Sequence, residues 1–175
     1  KRVGVRFSYT PVLLGGLFKL TGNQAPMIAF SGIPNKLAYE MLELRRFIAR
    51  YRLNAFKMNP HFPVNTLLLM RGAVAAEMEG VLPAYIEAGF HHMWEEPKKM
   101  DDPAILIEAL SNSGIDAARL LARAKDDDVK ANLIANTEAA AKRGAFGIPT
   151  FFVGAEMYFG KNTLREVEEE ITRTP

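Results

Sequence analysis

An α/β fold with a large all-helical insertion is what this sequence predicts, and three observations carry it. The first residues alternate in the manner of a strand. β-Branched and aromatic runs return only past Thr150. Between these two ends apolar residues fall at helical spacing almost without interruption. A strand at the N-terminus needs partners far away in sequence, so the sheet joins both ends of the chain and the helices pack on it as an insertion.

Val3, Val5, Phe7 and Tyr9 alternate with Arg2, Gly4, Arg6 and Ser8, the period-2 pattern of a strand with one buried face, already under way at Lys1. Pro11 to Leu14 continue apolar into Gly15-Gly16, a break that lets the backbone turn sharply, and a short turn carries Lys19. Thr21-Gly22-Asn23-Gln24-Ala25-Pro26 is a loop by composition, and irregular chain continues through Ser31-Gly32-Ile33-Pro34.

Lys36 to Tyr51 predict a helix, with Leu37, Met41, Leu44, Phe47 and Ile48 on one side and Glu40, Glu43, Arg45, Arg46 and Arg50 on the other. Asn59-Pro60-His61-Phe62-Pro63 breaks the chain. A second helix starts at Asn65-Thr66 and runs to about Glu79; its Leu67, Leu68, Met70, Ala73, Val74 and Ala76 leave little polar surface, which makes it central. A third follows from Val81 to Glu96, and Asp102-Pro103 opens a fourth, with the acidic side chain at the N-cap and proline in the first turn. After the Ser111-to-Gly114 turn come a short helix from Asp116 to about Ala124 and a long one from Asp126–Asp128 to near Arg143.

The last stretch is the richest. A helix runs out into Gly144, then Gly147-Ile148-Pro149-Thr150 leads into an aromatic strand, a turn at Gly154-Ala155, a second apolar run, and Gly160 opening a final helix. Proline just ahead of a strand needs no ladder hydrogen bond. Held cis, the Ile148-Pro149 bond leaves the backbone groups of Ile148 facing outward, able to pair with an extended peptide; the plain alternative is an ordinary loop proline.

Composition bounds the function. The chain has 175 residues, 49% hydrophobic and 24% charged, enough for a sizeable core. A formal charge of +2 with only short basic clusters argues against a nucleic-acid partner. There is no cysteine, hence no disulfide or thiolate metal site in these residues. No apolar run approaches the roughly 18–20 residues of a membrane span, and no signal peptide opens the sequence, so a soluble cytoplasmic protein is expected. His91 and His92 are adjacent and point about 100° apart on a helix, unlike an i, i+4 chelating pair, and His61 is in a Pro-rich loop; no metal site is read from them.

The Gly144-Ala145-Phe146-Gly147-Ile148-Pro149-Thr150 segment, with the strand, hairpin, strand and helix after it, resembles the C-terminal half of a thioredoxin-like domain. More narrowly, it resembles the branch holding the 2-hydroxychromene-2-carboxylate isomerases and kappa-class glutathione transferases. The resemblance implies a thioredoxin-like core from 1–13 and 126–175, interrupted by a helical domain from 14–125. It also implies a strand and helix, about 30 residues, before the strand that opens this chain.

The same resemblance has functional implications. Glutathione is the implied cofactor, bound by the backbone of Ile148 beside Pro149 and, at its γ-glutamyl end, by Gly160, Lys161 and Asn162, where free N–H groups and a helix dipole converge. The family usually has an aspartate where this chain has Asn162, so the ion pair with the ligand's ammonium is lost; an N-cap role is the alternative. Asn23 is implied to contact glutathione and Lys19 to face a second substrate's carboxylate, against the plainer readings of a turn asparagine and a solvated lysine. Asn65, in Phe62-Pro63-Val64-Asn65, is an implied substrate contact that a helix N-cap would equally explain. The family's thiolate-stabilising serine would lie before Lys1, so no catalytic residue is assigned. The implied activity is glutathione-dependent cis–trans isomerisation of an aromatic carboxylate by a homodimer: thiol addition, bond rotation, elimination. A kappa-type transferase, a thiol-disulfide oxidoreductase of the same broad fold and a non-catalytic binding member are the rivals.

Overall fold

The computed structural model describes residues 3–173. Among them the elements are, in order, α1 (Leu14–Thr21), α2 (Pro26–Ala29), α3 (Lys36–Tyr51), α4 (Leu67–Met78), α5 (Leu82–Trp94), α6 (Pro103–Asn112), α7 (Ala117–Arg123), α8 (Asp127–Lys142), β1 (Thr150–Val153), β2 (Glu156–Phe159) and α9 (Leu164–Arg173), with a 3₁₀ turn at Lys161–Thr163 before α9. The chain forms two compact units, one of Lys1–Asn23 with Ile134–Pro175 and one of Gln24–Leu133.

In the discontinuous unit the sheet is a two-stranded antiparallel hairpin that pairs Thr150 with Phe159 and Val153 with Glu156. The expected N-terminal strand is not formed in its described part, from Val3 onward; Lys1 and Arg2 lie outside the described residues. Val5, Phe7 and Tyr9 are exposed rather than lining a buried face. A strand is stable only beside a ladder partner, and among the described residues this segment has none. Its link to the sheet is through side chains, with Phe7 edge-on to Phe151 at 6.0 Å between ring centres.

Gly15-Gly16 does not break the chain either, since both lie inside α1. Helix wins because a close approach, not a turn, needs the small residue. A Cβ on Gly16 would come within 2.9 Å of Thr137 Cγ2 on α8. The same threonine is buried and its Oγ1 accepts the Leu13 N–H at 3.0 Å, satisfying a donor just ahead of α1 that the helix cannot. Leu17, fully buried, anchors α1, and the stretch expected to be irregular holds the short α2. At the far end α9 packs on β1 and buries Val167.

In the other unit α4 is the centre. Its Gly72-to-Ala76 run is buried, and it packs on α5 and α7, which in turn meet α6. Small residues along α4 let these helices approach closely. Asp102 caps α6 as expected, its Oδ1 accepting from the N–H groups of Ala104 and Ile105 at 2.9 and 3.3 Å. Asn59 pins the long loop before α4: its Nδ2 donates to the carbonyls of Met93 and Lys98 while its Oδ1 accepts the His61 N–H. Phe56 and Phe62 pack on Trp94 beside it. By contrast α3, which spans the residues its periodicity predicts, has no buried residue.

Candidate functional site

Short-range features of the discontinuous unit build the loop between α8 and β1. Helix α8 ends on Gly144 at φ 108°, with Gly144 N–H donating to Ala141 and Ala145 N–H to Ala140, the paired closure in which a left-handed glycine satisfies the last carbonyls. Phe146 packs on Phe159 at 4.6 Å between ring centres. Gly147 has no room for a side chain, because a Cβ there would meet the Phe159 ring at 2.8 Å. The Ile148–Pro149 peptide is cis. Thr150 Oγ1 donates back to the Gly147 carbonyl at 2.7 Å, closing the turn.

Asn23 and Pro149 tie this loop to its neighbours. Asn23 Nδ2 donates to the Phe146 carbonyl at 2.8 Å, so the asparagine positions the loop two residues ahead of Ile148. The Gly160 N–H donates to the Pro149 carbonyl at 2.9 Å, which fixes the entrance of the last helix beside the proline. Gly160 itself adopts φ 82°, a conformation that favours glycine, and Thr163 Oγ1 donates to the carbonyls of Phe159 and Gly160. Lys161 Nζ donates to Asn162 Oδ1 at 2.7 Å. Asn162 lies within the 3₁₀ turn and not at its N-cap, which is Gly160.

Ile148 is 45% exposed, and among the described residues its N–H and C=O make no hydrogen bond. Unpaired main-chain groups are tolerated where water or a ligand reaches them. Thus Asn23, Ile148, Pro149, Gly160, Lys161 and Asn162 belong to one linked set of segments in one unit. Lys19 lies exposed on α1 of the same unit, one turn before Gly22. Asn65 belongs to the other unit, where its Oδ1 accepts the Leu67 N–H at 3.0 Å just ahead of α4; the N-cap of that helix is Thr66, one residue later than the capping role the sequence allowed.

Sequence reasoning missed Arg143. Its guanidinium lies 3.8 Å from the Phe152 ring centre and its Nη2 donates to the Gly154 carbonyl at 3.3 Å, so one cation holds both a strand and the hairpin tip. A basic residue in the last turn of a helix reads as a dipole partner, and nothing local distinguishes it from a clamp.

The chain belongs to the DSBA-like thioredoxin domain family, whose pattern it matches over residues 1–172. It is 27% identical to glutathione S-transferase kappa 1 of Rattus norvegicus over 155 residues, covering 83% of this chain and 67% of that protein. It is 29% identical to 2-hydroxychromene-2-carboxylate isomerase of Pseudomonas sp. (strain C18) over 145 residues, covering 80% and 65%. A solved structure of 2-hydroxychromene-2-carboxylate isomerase superposes with a TM-score of 0.76 at 26% identity, covering 97% of this chain and 81% of that one. All three are enzymes by name. The chain spans about two thirds of the length of the rat and strain C18 proteins. Among the described residues no helix is long and apolar enough to cross a membrane.

Proposed function

We propose that this chain binds glutathione and, with it, isomerises an unsaturated aromatic carboxylate of the 2-hydroxychromene-2-carboxylate type, as a cytoplasmic homodimer. The observation that carries the reading is the unpaired N–H and C=O of Ile148, a residue 45% exposed and next to Pro149, whose carbonyl accepts the Gly160 N–H at the start of the last helix. Such a pair fits the extended main chain of a tripeptide. The residues at the far end fit as well. The helix entrance and the Lys161 ammonium give that end positive character, matched to a ligand carboxylate.

Each residue then has a task. Ile148 pairs with the ligand main chain, Gly160 to Asn162 receive its γ-glutamyl end, and Asn23 holds the loop through Phe146 while its amide stays at the ligand's edge. Lys19 is the proposed partner of the second substrate's carboxylate. Bound glutathione supplies a thiol that adds to and leaves an activated double bond, and the chain's own part is to orient the two reactants. Transfer of glutathione to an electrophile is the second reading, favoured by the likeness to the rat kappa transferase.

Calorimetric titration of glutathione into the folded chain tests the binding step. Saturable binding is expected, weakened about 3–10-fold by Asn23→Ala and by Asn162→Ala, the loss of one hydrogen bond each. Absence of any binding heat, or equal affinity in both variants, would remove the assignment.

A further inference from the structure

We propose that His91, His92 and Glu96, at the C-terminal end of α5, form a binding site for a divalent transition-metal ion of the zinc type. Two adjacent histidines on a straight helix diverge, which alone would preclude a shared ion. The helix does not continue, however. After Trp94 the chain reverses, with the N–H groups of both Glu95 and Glu96 donating to the His91 carbonyl at 2.9 Å. This brings Glu96 back over the two rings, and one ligand atom from each of the three residues lies within 4.8 Å of the others.

The donor set of two imidazole nitrogens and one carboxylate oxygen is one that zinc and its neighbours accept. Bonds near 2.0–2.1 Å in tetrahedral array place ligand atoms roughly 3.4 Å apart, so the set, now within 4.8 Å, has to close by up to about 1.4 Å. The parts that must move are the exposed ones: the side chains of His91 and Glu96 are 39% and 62% exposed. The part that must stay is held. His92 is 4% exposed, and its Nε2 is hydrogen-bonded to Ser113 Oγ at 2.9 Å, which fixes the ring as outer partners of metal ligands do.

A second observation points to a ligand independently. His92 Nδ1 is buried and has no hydrogen-bond partner. A buried ring nitrogen without a partner is unusual in a folded protein. Glu95 supplies the outer shell for the other histidine, its Oε2 lying 2.9 Å from His91 Nδ1 and leaving His91 Nε2, 3.6 Å from Glu96 Oε2, for the ion. A surface recess of about 270 Å³, lined by Ala84, Glu87, Ala88, His91 and Ser113, lies on the His91 side of the cluster. The Glu95 and Glu96 carboxylates flank His91, Glu87 lines the recess that His91 borders, and Lys98 is the opposing charge near His92.

The test uses the untagged chain in buffer free of glutathione and other thiols, titrated with Zn²⁺ alone by calorimetry. Trp94, the sole tryptophan and the neighbour of the site on α5, gives an independent reading by fluorescence quenching with Ni²⁺. One ion per chain is expected, with affinity falling at least tenfold in both His91→Ala and Glu96→Gln and unchanged in His61→Ala. These side chains are on the surface, and circular dichroism checks that the variants fold as the parent does. No saturable binding, or parental affinity in either His91→Ala or Glu96→Gln, overturns the proposal. The result is independent of whether glutathione binds, because the two sites are tested separately.

Discussion

The Tyr85 hydroxyl donates to the Leu69 carbonyl at 2.8 Å and lies where a Cβ on Gly72 would come within 2.3 Å of it. One phenol therefore satisfies a carbonyl of α4 and also fixes the residue allowed one turn away. Gly72→Ala is expected to destabilise the protein by about 1–3 kcal/mol, the usual cost of overpacking, and Tyr85→Phe in that background should recover part of it because the clashing oxygen is gone. Denaturant unfolding of the two single variants and the double variant measures the coupling. Burial pushes the Tyr85 phenol well above its ordinary range. A group raised on folding contributes stability that is whole below its unfolded value, near pH 10, and is lost as pH rises through the folded one.

Residues of this kind were only partly legible. Pro149 and Gly160 stood out because each restricts or frees the backbone in its own right, and the structure joins them through a hydrogen bond. Thr137 and Arg143 carried no such mark, and Gly16 was marked for the wrong reason, as a chain break and not as a close approach. Their importance rests on what lies opposite them, more than a hundred residues away in the case of Leu13 and Thr137.

At the scale of elements, the contrast between α3 and the N-terminal segment explains what a sequence can announce. Helix α3 spans Lys36–Tyr51, matching its apolar periodicity, because its hydrogen bonds close within the segment. The alternation from Val3 to Tyr9 is as regular, yet a strand's hydrogen bonds belong to another segment. A junction between elements offers a pH test. Arg123 at the end of α7 donates to Asp126 and Asp128 at the start of α8, at 2.7 and 3.0 Å. The hydrogen bond from Arg123 holds the Asp128 carboxyl below its ordinary range. Its contribution is present above the unfolded carboxylate value, near pH 4, and disappears as pH falls through the lowered one. Carboxyl-detected NMR titration should find the Asp128 midpoint moved upward in Arg123→Ala; an unchanged midpoint would sink the assignment.

Over the whole molecule, protection is distributed unevenly. Gly72 to Ala76 of α4 are buried, as are Leu106 and Leu110 of α6 and Leu120 of α7, whereas the apolar residues of α3 are at most half-buried. Hydrogen exchange is therefore expected to be slowest in α4 and α6 and faster in α3 by orders of magnitude, since opening a segment with little apolar burial costs little. Equal protection in α3 and α4 would contradict it. The helical middle and the C-terminal hairpin were readable from pattern. The chain reversal that brings Glu96 over His91 and His92 was not, because the period of a helix says nothing about the residues just past its end.

On the glutathione reading proposed above, the open main-chain pair at Ile148 would set a limit on discrimination. Amide and carbonyl look the same along every polypeptide, so contact with them senses direction and spacing but is blind to which side groups the guest carries. Fidelity toward a particular guest must then be imposed at its charged extremities, and a guest altered only in its middle would be welcomed almost as readily as the original.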